Sequence, residues 1–244
     1  MRFSTDEVER YARHLVLREI GGPGQQKLAA ARVLIVGAGG LGAPAALYLA
    51  AAGVGVLGLA DPDHVSLSNL QRQVIYATAD VGRAKVDASA ERLAAINPHV
   101  QVEAHTVAVG PDNAASVVAG YDLVLDGTDN FATRFAVNAT CVAAGKPLVS
   151  GALGRWTGQV GVFAERPCYR CLVAETPPDA ETCAAVGVMG ALAGVVGSMM
   201  ALEAIKLITG AGESLTGRLL VYDALSADCR TVRIGADPDC PVCG

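Results

Sequence analysis

The chain has 244 residues, of which 52% are hydrophobic, 18% charged and 5% aromatic, and its formal net charge is −5. This composition excludes an intrinsically disordered chain, which needs low hydropathy and high net charge, and a collagen-like or low-complexity chain. No run of Lys or Arg is present, so we expect no nucleic-acid partner. The length suits one large domain or two small ones. Because no internal repeat or linker is visible, we predict a single domain over 1–244.

Two stretches without charged residues reach the length of a membrane span, Val33–Ala60 and Ala184–Leu202. Glycines interrupt both, so the first is better explained as strand, turn, helix, turn and strand, and the second as a buried helix. We therefore expect no membrane insertion. The N-terminus has no apolar core and predicts no signal peptide. Seven cysteines, an odd number, indicate a reducing compartment, and we expect a cytoplasmic protein.

The chain begins with a helix signal. Ser4 and Glu7 fit a capping box, and the helix that they open is predicted to continue through Leu15 and to end before the glycine-rich segment Gly21–Gly24. A short helix is predicted over Gln25–Ala30.

Beyond this point strands and helices alternate. Strands are predicted at Val33–Val36, Val54–Ala60, Val100–Val107, Leu123–Leu125, Pro147–Ser150, Gln159–Ala164 and Arg218–Tyr222. Helices are predicted at Leu41–Ala52, Ala84–Ile96, Pro111–Ala119, Phe131–Ala144 and Val188–Ile208. Continuous apolar strands alternating with helices are typical of a parallel sheet buried on both faces. The sequence thus predicts an α/β protein with a Rossmann-like, doubly wound, mainly parallel sheet.

A glycine-rich segment, Gly37–Gly42, follows the first strand and opens a helix, which is the setting of the G-x-G-x-x-G nucleotide-binding pattern. Its glycines permit a tight turn and a close approach of the backbone to phosphate, and the helix N-terminus adds free N–H groups and partial positive charge. Asp61 ends the second predicted strand, where a carboxylate accepts hydrogen bonds from ribose hydroxyls. Glycines that serve only helix–strand packing are the alternative. We favour nucleotide binding, although the pattern alone does not separate NAD from ATP.

A polar segment, Ser68–Gln73, follows the second strand, and Lys85 lies beyond it. Arg72 and Lys85 could neutralise a triphosphate, which has more charge to offset than a dinucleotide pyrophosphate. A solvated loop and a surface lysine are an equally good explanation of these residues in isolation. Asp129 is predicted to end the fourth strand, where a carboxylate could hold Mg²⁺ against phosphate oxygens. Asp126 competes for that role or serves as a turn residue.

Four cysteines form two C-x-x-C pairs, Cys168 with Cys171 and Cys240 with Cys243. Two such pairs fit a tetrahedral zinc–thiolate site, although their separation exceeds that of a single zinc module. A redox function and unpaired thiols are the alternatives, but a redox C-x-x-C does not normally occur twice. We therefore predict a structural zinc ion that ties the C-terminal extension to the middle of the domain.

Taken together, these motifs resemble those of the ThiF/MoeB/HesA family, the bacterial relatives of ubiquitin-activating enzymes, with molybdopterin-synthase adenylyltransferases as the most similar branch. The resemblance covers nearly the whole chain and is carried by Arg10–His14, Arg32–Gly42, Asp61, Leu67–Gln73, Asp122–Asn130, Pro147–Gln159, Pro167–Leu172 and Asp239–Gly244. It implies a Rossmann-like homodimer that uses ATP to adenylate a carboxylate. The substrate would be the C-terminal glycine of a small ubiquitin-like sulfur carrier that ends in Gly-Gly.

The resemblance also assigns roles to residues. The nucleotide-binding set that it implies is Gly37, Gly39, Gly40, Asp61, Ser68, Asn69, Leu70, Gln71, Arg72, Lys85, Asp129 and Asn130. The catalytic set is Arg13, Arg72, Lys85, Asp129 and Cys183. Within these sets Asp129 positions Mg²⁺, Arg13 reaches into the partner subunit's site, and the two C-x-x-C pairs hold zinc. Cys183 matches a cysteine that some members link covalently to the carrier and others do not need, so a purely structural cysteine stays open.

The chain ends one residue after Cys243, and we expect an external sulfur donor because the rhodanese domain of longer relatives is absent. Thiamine, secondary-metabolite or tRNA-modifying branches of the family fit the same residues. Two other classes of protein stay open. An NAD(P)-dependent oxidoreductase shares the glycine turn but gives no joint role to Arg72, Lys85 and Asp129. A non-catalytic scaffold would not need the full polar set.

Overall fold

A computed structural model of the chain describes residues 3–177 and 187–244. Its strands are β1 (Arg32–Val36), β2 (Val56–Ala60), β3 (Gln101–His105), β4 (Leu123–Asp126), β5 (Leu148–Leu153), β6 (Thr157–Phe163), β7 (Arg218–Asp223) and β8 (Asp228–Arg233). Its α-helices are α1 (Thr5–Arg10), α2 (Ala12–Leu15), α3 (Gly21–Ala30), α4 (Gly42–Ala52), α5 (Lys85–Ile96), α6 (Ala114–Val118), α7 (Phe131–Ala143), α8 (Tyr169–Leu172) and α9 (Gly190–Thr209). Short 3₁₀ helices lie at Leu67–Asn69 and Thr78–Asp80.

The strands form one eight-stranded sheet in the order β3-β2-β1-β4-β5-β6-β7-β8. The pairs from β3 to β5 are parallel, and β6, β7 and β8 are added antiparallel. The predicted Rossmann-like, mainly parallel sheet is thus confirmed. The chain direction across the sheet reverses between β1 and β4, and in open α/β sheets ligands bind at the carboxyl ends of the strands beside such a reversal.

The parallel strands form because their residues are almost entirely apolar and are covered on both faces. Every residue of β4 is buried, and so are residues 33–36 of β1. Side chains on one face pack against α4, α5 and α9, while those on the other pack against α6 and α7. Burial on both faces explains why these strands appear in the sequence as continuous apolar runs rather than as alternating patterns.

One helix of the described chain, α9, is long and apolar enough to cross a membrane by length and composition. It packs against α4, β5 and β6, with Leu192, Val196 and Met200 buried in the core. The close contact depends on small residues. A Cβ at Gly158 of β6 would come within 2.3 Å of Val196, and a Cβ at Gly197 would come within 2.4 Å of the Leu41 carbonyl oxygen. The buried-helix interpretation of this segment therefore matches its packing.

The N-terminal prediction was partly wrong. Ser4 does cap α1 in a capping box with Glu7, but the helix ends at Arg10 and a second short helix, α2, follows. The predicted break over Gly21–Gly24 is the first turn of α3. Pro23 is tolerated there because the N–H groups of a first helical turn have no intrahelical partner.

Other differences lie at strand ends. β8 was not predicted, because all six of its residues are exposed and its sequence lacks an apolar alternation. The fourth strand ends at Asp126, so the expectation that Asp129 ends it was wrong, and Asp129 lies three residues further along in a loop. The predicted strand Pro147–Ser150 continues to Leu153, and the predicted strand at Val54 begins only at Val56.

Candidate active site

A cavity of about 450 Å³ opens at the carboxyl ends of β1, β2 and β4, beside the reversal in the sheet order. Its volume falls in the range of small-molecule sites. Its charged or amide-bearing lining residues are Asp61, Asp63, Asn69, Arg72, Gln73, Lys85, Asp129, Asn130 and Arg134. Its backbone and apolar lining includes Gly37, Gly39, Gly40, Val107, Val109, Phe131, Leu153 and Tyr169. The sequence had predicted most of the polar group but none of the apolar side chains.

The glycine turn between β1 and α4 has the backbone geometry that its sequence predicts. Gly37 has a φ of +90°, which L side chains rarely adopt, and a Cβ at Gly42 would lie 1.9 Å from the Gly37 carbonyl oxygen. Gly39 and Gly40 both line the cavity. The turn therefore brings backbone and the N-terminus of α4 to the cavity wall, where an anion is favoured.

Asp61 follows β2 directly and is buried. Its Oδ2 accepts a hydrogen bond from the backbone N–H of Ala38 at 2.8 Å, and its Oδ1 accepts one from the N–H of Asp63 at 2.8 Å. The carboxylate thus clamps the glycine turn to the end of β2 as well as lining the cavity. A carboxylate keeps free lone pairs after two such bonds, so Asp61 can still accept from a ligand hydroxyl.

Lys85 is not the surface lysine of the alternative explanation. It is the first residue of α5, and its side chain is only 6% exposed. Its Nζ donates to Asp63 Oδ2 at 2.8 Å and lies 3.8 Å from Asp61 Oδ1. A buried ammonium is costly unless it is paired. The two carboxylates therefore hold a cation in the wall of the cavity.

Only part of the segment Ser68–Gln73 lines the cavity. Asn69 and Arg72 line the cavity, whereas Ser68, Leu70 and Gln71 are outside its lining. The Arg72 guanidinium donates to the Ser68 carbonyl oxygen at 2.9 Å, and its side-chain carbons lie near Gly40. Leu70 packs on the apolar core, and the Gln71 carbonyl oxygen lies against Gly190 at the start of α9.

Asp129 and Asn130 lie side by side in the cavity wall, before α7. Asp129 is exposed, and its carboxylate makes no hydrogen bond or ion pair among the described residues. Asn130 uses its side-chain oxygen to cap α7, accepting from the Thr133 N–H at 2.8 Å. Asp126, the competing acid, is buried, and its Oδ1 accepts from the Thr128 N–H and hydroxyl. It has the contacts of a turn residue, while Asp129 presents a free carboxylate.

A buried arginine that the sequence analysis did not single out supports this loop. Arg134 on α7 donates to the carbonyl oxygens of Thr128 and Gly151 and to the Ser150 hydroxyl. It therefore ties the loop that carries Asp129 to β5. No motif marked it, because an arginine inside a predicted helix looks like a solvated surface residue.

Gln73, the last residue of the polar segment, was also not predicted as a site residue. It is buried in the cavity wall, and its Oε1 has no hydrogen-bond partner in the described parts of the chain. A buried, unpaired amide oxygen costs free energy, and Gln73 is therefore an unusual polar residue of the cavity wall.

Arg13 lies on α2, is exposed and does not line the cavity of its own chain. Two buried amides anchor the segment around it. Asn97 donates to the Tyr11 hydroxyl at 2.9 Å, and His14 Nδ1 is 3.1 Å from Gln25 Oε1. The segment that carries Arg13 is therefore anchored to the rest of the chain by its neighbours Tyr11 and His14.

Four thiols meet where the α8 segment contacts the C-terminal extension. The Sγ atoms of Cys168 and Cys240 are 3.7 Å apart, those of Cys171 and Cys243 are 3.5 Å apart, and all four lie within 4.8 Å of one another. A tetrahedral zinc ion with Zn–S bonds of about 2.3 Å spaces its sulfurs by about 3.8 Å.

The pKa shifts within the thiol cluster differ in direction, since burial raises the pKa of the Cys168 thiol and of the Cys243 thiol. Burial opposes ionisation of Cys240, but the N–H groups of Cys243 and Val242 outweigh it and lower the pKa of the Cys240 thiol to about 7. The four thiols fit zinc in number, type and spacing, and no further protein ligand is needed. Cys183, the predicted covalent residue, lies outside the described residues.

A cavity with a glycine turn, three basic side chains and a free carboxylate at the sheet reversal is typical of a nucleotide-binding α/β protein. The chain matches the model of the ThiF family over residues 11–242 and belongs to that family. It is 52% identical to the probable adenylyltransferase/sulfurtransferase MoeZ of Mycobacterium tuberculosis, over 98% of this chain and 63% of that protein. It therefore spans less than two thirds of that relative.

Two other relatives are matched over most of their length. The chain is 48% identical to a sulfur carrier protein adenylyltransferase of Thermus thermophilus, covering 100% of this chain and 93% of that protein. It is 48% identical to a SAMP-activating enzyme E1 of Haloferax volcanii, covering 98% of this chain and 89% of that protein. A crystal structure of E. coli MccB with ATP superposes with a TM-score of 0.84 at 24% identity, over 96% of this chain and 74% of that one, which shows a shared fold.

Proposed function

We propose that this protein is an ATP-dependent adenylyltransferase that activates the C-terminal glycine of a small ubiquitin-like sulfur carrier ending in Gly-Gly. The observation that carries the proposal is the cavity at the sheet reversal, which combines the glycine turn with Arg72, Lys85 and the unpaired carboxylate of Asp129. The relatives named as adenylyltransferases support the reaction, and the one named for a sulfur carrier supports the substrate class.

The hydrogen-bond donors of the cavity suit phosphate groups. Arg72, Lys85 and the N-terminus of α4 all present positive charge or N–H donors to one space. Asp61 and Asp63 share the charge of Lys85, so Arg72 and the backbone N–H groups are the donors left for a phosphate. The oxidoreductase alternative assigns no task to Asp129, whereas ATP chemistry does.

Asp129 fits a magnesium site because its carboxylate is exposed to the cavity and is not committed to another group in the described chain. Mg²⁺ is held in such enzymes by one or two carboxylates together with substrate phosphates. When bound, the ion supplies charge neutralisation of the phosphates. Arg134 would keep the Asp129 loop in position through its bonds to Thr128 and Gly151.

The chemistry then needs positioning rather than proton transfer. A carboxylate oxygen of the carrier's terminal glycine attacks the α-phosphorus of ATP, an acyl phosphate bond forms, and the bond from the α-phosphorus to the bridging oxygen breaks. Pyrophosphate leaves with that electron pair. A carboxylate is already ionised at neutral pH, so no general base is required. Arg72 and Lys85 offset the charge of the phosphates and of the departing pyrophosphate, and the cavity holds the reacting groups together.

The proposed assembly is a homodimer in which Arg13 completes the partner's site. In its own chain Arg13 is exposed and outside the cavity, although the segment that carries it is anchored. The outer face of α9 also carries an uncovered stripe that includes Val195 and Leu202, which are 41% and 59% exposed. An apolar helix face left in solvent is typical of a protein–protein contact.

Mass spectrometry of candidate carriers incubated with the protein and Mg-ATP tests the proposal. We expect a carrier with an intact Gly-Gly terminus to gain the mass of one adenylyl group, which is AMP less one water, and to support ATP–pyrophosphate exchange. A carrier without its last glycine is the matched control and should gain nothing. Among carriers we propose the molybdopterin-synthase type. If a thiamine-type carrier is modified instead, the protein belongs to another branch of the family. Thermal protection by NAD but not by ATP, without any adenylate, would contradict the proposed reaction.

A further inference from the structure

A buried hydroxyl outside the cavity lining holds the glycine turn from behind. Tyr76 is buried, and its hydroxyl donates to the Ala38 carbonyl oxygen at 2.8 Å. The Ser89 hydroxyl on α5 in turn donates to the Tyr76 oxygen at 3.0 Å. Burial raises the pKa of the Tyr76 hydroxyl above its usual range, so the proton needed for donation stays in place.

The Ala38 residue is thereby fixed on both sides. Its N–H donates to Asp61, and its carbonyl accepts from Tyr76. In a trans peptide the C=O and the following N–H point in opposite directions. Because the Ala38 carbonyl points to Tyr76, the Gly39 N–H points away from it. Gly39 lines the cavity, and its N–H has no acceptor among the described residues.

We propose that Tyr76, supported by Ser89, is a positioning residue that sets the orientation of the Ala38–Gly39 peptide so that the Gly39 N–H faces the phosphates of the nucleotide. This inference rests on the proposed function, since it takes the ligand of the cavity to be ATP. It assigns to residues outside the cavity a task in phosphate binding that no motif of the sequence marks.

The physical consequence of losing the hydroxyl follows from the same geometry. Without Tyr76 as donor, the Ala38 carbonyl would be left unpaired in a buried position, which is costly. Rotation of the peptide toward the water of the cavity would relieve that cost. The Gly39 N–H would then turn away from the phosphates, while contacts to adenine and ribose would be unchanged.

Displacement of a fluorescent ATP analogue by ATP and by adenosine tests the proposal on the complete chain. For Tyr76→Phe we expect ATP to bind about five- to tenfold more weakly, the equivalent of roughly one hydrogen bond. Adenosine, which has no phosphate, should bind within about twofold of wild type, because a factor of two is below the effect of one such bond. Ser89→Ala, which removes only the hydrogen bond to Tyr76, should weaken ATP binding about twofold by the same reasoning.

The matched control is Tyr121→Phe. Tyr121 is also a buried tyrosine, but its hydroxyl bonds to Glu103 and His105, outside the cavity lining. This variant should lose thermal stability without weakening ATP relative to adenosine. Equal weakening of ATP and adenosine by Tyr76→Phe, or unchanged ATP affinity, would overturn the positioning role. If wild-type protein does not bind ATP at all, the proposed function itself fails, and the positioning role falls with it.

Discussion

The parallel half of the sheet and its antiparallel extension are built on different principles. In the parallel half, β1 and β4 are buried on both faces, and the polar residues gather at the carboxyl ends of the strands. In the extension, β7 has only Leu219 buried and all of β8 is exposed. A thin apolar core there is supplemented by four thiols that join the α8 segment to the C-terminal extension. The polar lining of the cavity thus belongs mainly to the parallel half, and the four thiols that could hold a metal lie beside the extension. Tyr169 of α8 links the two regions, because it follows Cys168 and lines the cavity.

Asp129→Ala is the most severe test of this separation, because it removes a cavity residue that supports nothing else. We expect carrier-dependent ATP–pyrophosphate exchange to fall by at least about 100-fold, in line with the loss of one electrostatic contact to a transition state. Thermal stability should be unchanged, since the carboxylate is exposed and unpaired among the described residues. Asp112→Ala, at an exposed acid outside the cavity, is the control. If exchange continues near the wild-type rate, Asp126 becomes the metal-binding candidate.

Mixing inactive Arg13→Ala and Asp129→Ala proteins tests whether each active site contains residues of both subunits. Random exchange of subunits gives half mixed dimers with one intact site each, so about a quarter of wild-type activity should return. Pyrophosphate exchange before and after mixing measures it, with subunit exchange verified by mass. No recovery would show that Arg13 does not act in the partner's site.

Cys240→Ser tests whether the four thiols bind a zinc ion that stabilises the protein. We expect one zinc per wild-type chain by elemental analysis and none in the variant. We expect the variant to lose about 3 kcal/mol of its free energy of unfolding, which would lower the unfolding temperature by roughly 6–12 °C in a protein of this size. Activity at low temperature should largely survive, because the thiols lie outside the cavity lining. Cys229→Ser, at an exposed cysteine on β8, should change neither quantity. Equal stability of zinc-free and wild-type protein would remove the structural role of the metal.

Cys183→Ser is expected to have the smallest effect on the first reaction. Pyrophosphate exchange should stay within about twofold of wild type, because the attacking carboxylate needs no thiol. Any thiol-sensitive adduct with the carrier should disappear. Non-reducing electrophoresis after incubation with Mg-ATP detects it. Absence of an adduct in wild-type protein, where the adenylate forms, leaves Cys183 as a structural cysteine.

The sequence predicted the strands of the parallel half better than those of the antiparallel extension. Apolar runs predicted the parallel strands, because complete burial leaves a clear signal, while exposed β8 left none. In the site, Gly39, Asp61 and Arg72 were predicted because their types match ligand chemistry. Tyr76 could not be predicted, since its role depends on a contact with Ala38, which is 38 residues away in the chain.

The two outer strands of the sheet also bear on self-association. An uncovered strand can pair with strands of other chains, and charged side chains at the edge discourage this. One edge, β3, has Glu103 in an ion pair with Arg32, and the other, β8, carries Asp228, Arg230 and Arg233 in solvent. Growth of the sheet by strand addition is therefore disfavoured at both ends. Replacing Arg230 and Arg233 with valine would leave Asp228 as the only charged side chain of β8, and light scattering should then show more aggregation as the protein concentration rises.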